Sequence, residues 1–321
     1  MKLILPFTTA ILICYCFFNS IRIAEAQTPT DATMMKPGQI CFALSYINDS
    51  WDHYWEGTRY RDNGNIGTLT HHTIEPGFAL GIIKHINIIG SLPFVISHPS
   101  AGQIQGDEGF PEFSLWVKGD LPELKFGSTR LHMLATIGGS VPVSHYAPDY
   151  AYGIGFGSSE ASFRVITHYQ LTKGFYLRGQ GGYHLRGNSK LQRDYYYTTE
   201  GIYSDKVDMP DVIDYSGTLG WLSKNEKFKA EIIYDSFNCL SGFDIRTQDG
   251  GFPSNKMIWT RLGGGVKYFI PQISGLAVNA YAGQVLTGRN VGKSLVLQGG
   301  ISYFFSIWNR SKNNSSIPEQ K

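Results

Sequence analysis

The stretch Leu171–Asn188, LTKGFYLRGQGGYHLRGN, decides the fold. Read with a period of two, Phe175, Leu177, Gly179, Gly181, Tyr183 and Leu185 share one face, and Tyr176, Arg178, Gln180, Gly182, His184 and Arg186 share the other. Such alternation marks a strand with two unlike faces. In a soluble sheet the apolar face meets a core and the charged face meets water. In a barrel closed within a membrane the assignment reverses, with lipid outside and solvated charge inside. The remainder of the chain decides between the two.

The N-terminus, MKLILPFTTAILICYCFFNSIRIAEAQTPT, combines one lysine, an apolar run from Leu3 to Phe18 and a small-x-small site at Ala24–Ala26. It is built as a secretory signal peptide, residues 1–26, cut before Gln27. Polar residues interrupt the apolar run before the ~20 residues a membrane helix needs. Bulky Ile13 and Tyr15 argue against a lipid anchor on Cys14 or Cys16. No later segment offers a helix-length apolar span, which excludes a helical membrane protein; barrel strands never produce such a run. The 37 glycines exceed the average usage of ~7%, aromatics reach 14% and charged residues only 17%, so strands and turns are favoured. Two of the four cysteines leave with the signal, and Cys41 and Cys239 are too few for a disulfide scaffold. A net charge of +2 without a basic cluster leaves no footprint for nucleic acid.

Twelve alternating segments can be placed, at about 39–49, 73–83, 86–97, 111–120, 129–141, 160–171, 175–187, 211–222, 227–238, 257–270, 275–286 and 293–307. The links between them alternate in length. Ser50–His72, His98–Phe110, Pro142–Ser159, Asn188–Pro210 and Cys239–Lys256 are long and polar, whereas Lys84–His85, Thr172–Gly174, Ser223–Glu226 and Pro271–Ser274 are short and Leu121–Ser128 is longer but compact. That parity is the build of an outer-membrane barrel with short periplasmic turns and long outer loops. The fold expected is therefore all-β, a transmembrane antiparallel up-and-down β-barrel of about 12 strands over residues 39–308. Residues 27–38 form a short periplasmic segment, too small for a plug domain, and 309–321 a polar tail. Phe175, Tyr176, Trp221, Phe228, Tyr268, Phe269, Phe304 and Phe305 cluster near the short turns, where amphipathic rings suit the headgroup layer.

With the apolar faces in lipid, the inner wall carries the charge. Strands five to seven contribute Arg130, His132, Arg164, His168, Arg178, His184 and Arg186; strands eight and nine contribute Asp214, Lys229, Glu231 and Asp235; Glu75, Glu112 and Lys118 lie on the other flank. A basic strip bordering acidic ones either polarises a solute path or fills the lumen with salt bridges, and twelve strands are compatible with both. Gly288–Ser294 imitates a phosphate loop but is one residue short between its glycines, and Gly153–Gly157 lacks the helix of a dinucleotide fold. His71 and His72, adjacent in a strand, point to opposite faces and cannot share a metal. His132, His168 and His184, the candidate bases for a hydrolase, lie on the inward face, and no serine and acid are placed at the lipid-facing rim where outer-membrane enzymes work. Neither cofactor, metal nor enzymatic activity is expected.

The last strand, Gln298-Gly299-Gly300-Ile301-Ser302-Tyr303-Phe304-Phe305, resembles the C-terminal signal read by the barrel-assembly machinery of Gram-negative bacteria, through Gln298, Gly300, Tyr303 and Phe305. It differs in carrying Ser306–Lys321 beyond the last aromatic. From Leu92 to Asn188 the chain resembles the MetA-pathway-of-phenol-degradation family of outer-membrane transporters. The matching pieces are Leu92-Pro93-Phe94, Gly106-Asp107, Val141-Pro142, Gly155-Phe156-Gly157-Ser158 and Gly182-Tyr183, with Pro142-Val143-Ser144 where the family has Pro-Thr-Gly. The resemblance implies an outer-membrane location, lipid and the assembly machinery as partners, and passive transport of small molecules, apolar or aromatic ones in the family. A structural or adhesive barrel with a filled lumen is the alternative, and a lipid-modifying enzyme of the outer membrane a further one.

Overall fold

The computed structural model describes residues 28–103, 105–198, 200–245 and 255–307. The signal peptide and the polar tail expected from the sequence lie outside the described residues. Twelve strands form the wall: β1 (Gln39–Trp51), β2 (Leu69–Ile83), β3 (Ile86–Ser91 and Phe94–Pro99), β4 (Asp107–Gly109 and Glu112–Asp120), β5 (Thr129–Pro142), β6 (Glu160–Gln170), β7 (Phe175–Arg186), β8 (Val212–Leu222), β9 (Phe228–Cys239), β10 (Ile258–Phe269), β11 (Leu276–Arg289) and β12 (Leu295–Ser306). Each pairs antiparallel with its neighbours in sequence, and β12 returns to β1 in register from Gln39↔Ser306 to Ser50↔Leu295. The barrel is closed. Closure is what hydrocarbon demands, because an open edge would leave unpaired amides without water. β3 and β4 are each interrupted at a proline, Pro93 and Pro111, which lack the N–H a ladder needs.

The two faces of β7 separate as the alternation requires. Phe175, Leu177, Gly179, Gly181, Tyr183 and Leu185 are exposed on the outside, while Tyr176, His184 and Arg186 are buried within and Arg178 and Gln180 half-buried. Apolar side chains such as Leu44, Ile137, Phe163, Leu177, Ile232 and Ile301 cover the outer surface. A periplasmic aromatic girdle is present in part. Phe175 and Tyr268 point outward, and Phe305 meets Tyr303 and Phe42 in tilted ring contacts on the lipid side with centroids about 6 Å apart. Tyr176, Phe269 and Phe304, expected in the same girdle, are instead buried in the barrel mouth. Their neighbours Phe175, Tyr268 and Phe305 hold the outward positions, and a strand cannot present two consecutive rings to one side.

The segment assigned to the periplasm turns into the barrel. Met35 is buried against Cys41, Ala79, Ile89, Phe269, Ala277 and Phe304, an apolar collar at the end of the barrel that carries the short turns. Burial of one methionine is worth about 1.5–3 kcal/mol. Gly81 permits the entry, since a Cβ there would meet the Lys36 carbonyl at 2.1 Å. Gly38 donates to the Gly81 carbonyl at 2.8 Å and Gln39 to the Lys36 carbonyl at 2.9 Å. Beyond Met35 the chain reaches Asp31, whose carboxylate lies 2.7 Å from Lys118 Nζ on β4.

Candidate functional site

The inner wall is built by the inward residue of every second position, so antiparallel register stacks charges into rows. On β6, β7 and β8 the register sets Glu160 opposite Arg186, Ser162 opposite His184, Arg164 opposite Gly182, and Gly182 opposite Asp214. His184 bridges two carboxylates, with Nδ1 2.7 Å from Glu160 and Nε2 2.8 Å from Asp214. Both ring nitrogens donate, which only the imidazolium form can do. Arg164 donates to the other Asp214 oxygen at 2.9 Å, so two cations face two carboxylates. Gly182 makes room for this group: a Cβ there would stand 2.1 Å from Asp214 Oδ1 and 3.2 Å from Arg164 Nε. Ser162 is also beside His184, but neither imidazole nitrogen is free to take its proton, and nucleophilic catalysis of the Ser-His-Asp kind is not assembled.

Below this quartet, Arg178 and Lys229 reach Glu231 at 3.0 and 3.3 Å, and Tyr176 donates to it at 2.7 Å. Arg261 on β10 clasps Asp235 at 2.9 Å. Arg178, Lys229, Glu231, Asp235 and Arg261, together with Thr28, Thr30 and Asp31, line a cavity of about 560 Å³ in mid-barrel. A second cavity of about 520 Å³ lies under the outer loops, between Trp51, Tyr54, Tyr150, Tyr152, Phe156, Leu191, Met209 and Met257. Three parallel rings connect the two: Phe156 stacks on Phe237 (6.4 Å, 7°) and Phe237 on Trp259 (5.8 Å, 2°). Cations cap the ladder, Arg186 over Phe156 at 4.3 Å and Arg261 over Trp259 at 4.9 Å.

The inner-wall residues named from the sequence divide into three groups. Arg164, Arg178, His184, Asp214, Glu231 and Asp235 line the mid-barrel cavity, each in an ion pair. Others hold chain segments in place. Lys118 secures the N-terminal segment; Glu112 accepts from Tyr146 Oη and from the amides of Phe156 and Gly157, folding the Gly153–Gly157 loop inward; Glu75 is bonded by Ser91. His132 joins His85 on Asp120 at the periplasmic rim, both at 2.8 Å. His168 lies inside against the Tyr176 ring, and Arg130 is exposed at the end of β5. Arg186 is buried at the outer end of β7. Asp31, Arg261 and the Phe156–Phe237–Trp259 ladder escaped the sequence reading. Arg261 could have been found by extending the alternation along β10, whereas nothing in the spacing of Asp31 pointed to Lys118. The glycine-rich turn before β12 is a loop buttress: Asn290 accepts from Gly57 and Ile245 amides and donates to Asp244 and the Lys256 carbonyl.

The family model described as "Putative MetA-pathway of phenol degradation" matches residues 115–298, more than half of the chain. The chain belongs to this family. Among solved structures, this MetA-pathway family member is similar to the COG4313 outer membrane channel from Pseudomonas putida F1, with a TM-score of 0.68 and 13% identity over 87% of this chain and 100% of that one. It is also similar to the NanC porin (TM-score 0.46, 8% identity, 82% and 98% covered) and to the transport unit of the autotransporter AIDA-I from Escherichia coli (0.45, 12%, 94% and 97%). None of the curated proteins matches the MetA-pathway chain. At 13% identity the likeness to the COG4313 channel, with its TM-score of 0.68, shows the barrel fold alone.

Proposed function

We propose that the chain is a passive, non-enzymatic channel of the outer membrane that admits small solutes from the outer cavity to the mid-barrel cavity. One observation carries the reading: two cavities of about 520 and 560 Å³ lie one beneath the other in the lumen, each within the ~300–1,000 Å³ range of small-molecule sites. An aromatic ladder runs from one to the other, and apolar or aromatic solutes suit its stacked rings. Family membership and the likeness to an outer-membrane channel support the same reading. The N-terminal segment is the floor of the inner cavity, so conduction is limited at the periplasmic end.

The charge pairing along the wall favours a second reading, a barrel whose lumen serves only as a core. Planar-bilayer recording separates them. Single-channel currents from the purified wild type, enlarged when residues 28–36 are deleted, are expected of the channel. A silent wild type that stays silent after the deletion would leave the filled barrel.

A further inference from the structure

Among the described residues, Arg186 is a buried cation of the inner wall with no carboxylate within ion-pair distance. It closes β7 on the inner face at 7% exposure, and its Nε, Nη1 and Nη2 have no oxygen or nitrogen partner among the described residues, the Cys239 thiol being its one side-chain hydrogen-bond partner there. Arg164, Arg178 and Arg261, on the same wall, each have a carboxylate oxygen within 3.0 Å. Glu160 and Glu112 act on Arg186 through space, but both are committed elsewhere, Glu160 to His184 and Glu112 to Tyr146 and two backbone amides. The Cys239 thiol lies beside it, a weak acceptor that donates to the Asn255 carbonyl at 3.6 Å.

A guanidinium cannot shed its charge, and a buried ion without a partner costs several kcal/mol. Its planar fork is matched to a carboxylate, which it binds through two parallel N–H···O bonds. The surroundings say what such a carboxylate would carry. Arg186 sits over the Phe156 ring, and Phe156 is also in the wall of the outer cavity with Tyr150, Tyr152, Leu191 and Met209. Ser158 and Ser189, one following Gly157 and the other pressed against it, are buried with hydroxyls that have no partner among the described residues. An apolar chamber of about 520 Å³ thus has Ser189 and Phe156 in its wall, and behind that Phe156 ring one positive charge without a carboxylate. One surplus charge fits a monoanion; a dianion would add repulsion toward Glu112 and Glu160.

We propose that Arg186 is the anion-binding residue of a subsite at the base of the outer cavity, taking an organic monocarboxylate whose apolar body lies in that cavity. The proposal deepens the channel reading by naming a solute class, and rests on that reading for the onward route.

The test titrates the purified full-length chain in detergent with benzoate and with its neutral isostere benzamide, followed by calorimetry. Wild type is expected to bind benzoate roughly tenfold more tightly than benzamide, the scale of one charge-assisted hydrogen bond. Arg186→Met is expected to lose that preference while binding benzamide as before, and to unfold at no lower temperature than wild type without ligand. Equal binding of the two probes by wild type, absence of both, or a preference that survives in Arg186→Met overturns the subsite. Should Arg186→Met fail to assemble, the wild-type comparison of the two probes decides alone. Swelling of liposomes in arabinose reports the channel separately. Swelling without benzoate preference sinks the subsite only; Arg186-dependent benzoate binding without swelling sinks the channel only.

Discussion

Lys118 Nζ and Asp31 Oδ1 lie 2.7 Å apart inside the barrel, joining the inner face of β4 to the segment that precedes β1. Lys118 is fully buried and also donates to the Thr28 carbonyl at 2.9 Å. Removing one member of a buried pair typically costs ~3–5 kcal/mol, because the other charge is stranded. Asp31→Ala should therefore lower thermal stability and loosen the segment, raising single-channel conductance, while Asp31→Ala combined with Lys118→Met should regain stability and keep the larger current. Unchanged current in both variants would show that the segment does not limit the path.

The orientation of β7 is tested by a matched pair. Leu177→Arg places a charge in lipid, at a cost of roughly 2–4 kcal/mol near the bilayer midplane, whereas Gln180→Arg places it on the lumen wall. Heat-modifiable gel mobility should report poor assembly for the first and normal assembly for the second. Equal assembly would reverse the assignment of faces.

Gly182 and Gly179 provide a second matched pair on the same strand. A Cβ at Gly182 collides with Asp214 and crowds Arg164, while nothing lies within 4 Å of one at Gly179. Gly182→Ala is expected to destabilise by about 1–3 kcal/mol, the usual range for overpacking, and Gly179→Ala to be nearly neutral. Denaturant midpoints that fall equally would mean the quartet tolerates rearrangement.

Much of this architecture was legible in the sequence, because β-strand geometry is periodic and a lipid boundary punishes every misplaced charge. Leu177, Arg178 and Gln180 could be placed on their faces from parity alone. Cross-strand meetings follow register, so Arg164, Asp214 and His184 could be listed as wall residues but not recognised as one ionic group until Gly182 was seen between them. What lay beyond periodicity was not legible. Asp31 meets Lys118 through an irregular segment, and Phe156 reaches Phe237 only because Glu112 gathers the loop amides around it. Parity placed Phe304 inward, opposite Tyr303 and Phe305, and the structure buries it there; the clustering of rings near the short turns is what misassigned it to the girdle.

Asp244 gives a pH-dependent prediction outside the membrane. It accepts from Nε and Nη2 of Arg289 at 2.7 and 2.5 Å and from Asn290 at 2.7 Å. The Arg289 bonds hold its carboxyl down at about 2, against an ordinary value near 4. A depressed folded value contributes stability above about pH 4 that is lost as pH falls toward about 2. A spin label replacing Ser241 should gain mobility over that window in wild type and be mobile throughout in Asp244→Ala. A wild-type label with constant mobility down to pH 2 would refute the anchoring role.

The aromatic end of β12 bears on insertion. Tyr303 and Phe305 meet in a tilted ring contact on the lipid face beside Phe42 of β1. Changing both to Ser should leave export intact and reduce the heat-modifiable, membrane-inserted fraction in cells. Normal insertion would remove their role as a recognition signal and leave the strand in place.

The N-terminal segment also constrains the order in which the molecule can be made. The seam between β1 and β12 joins strands from the two ends of the described chain, the kind of distant contact that forms slowly because a long loop must close first. Once that seam is zipped, residues 28–37 can reach the lumen only by threading upward through the collar of Cys41, Phe269 and Phe304, drawing the Asp31 charge past buried rings. Entry before closure avoids that passage. The segment then acts as a mandrel around which the last hydrogen bonds are made, and a disulfide between Asp31→Cys and Lys118→Cys should be trappable in insertion intermediates whose β1–β12 amides still exchange with water.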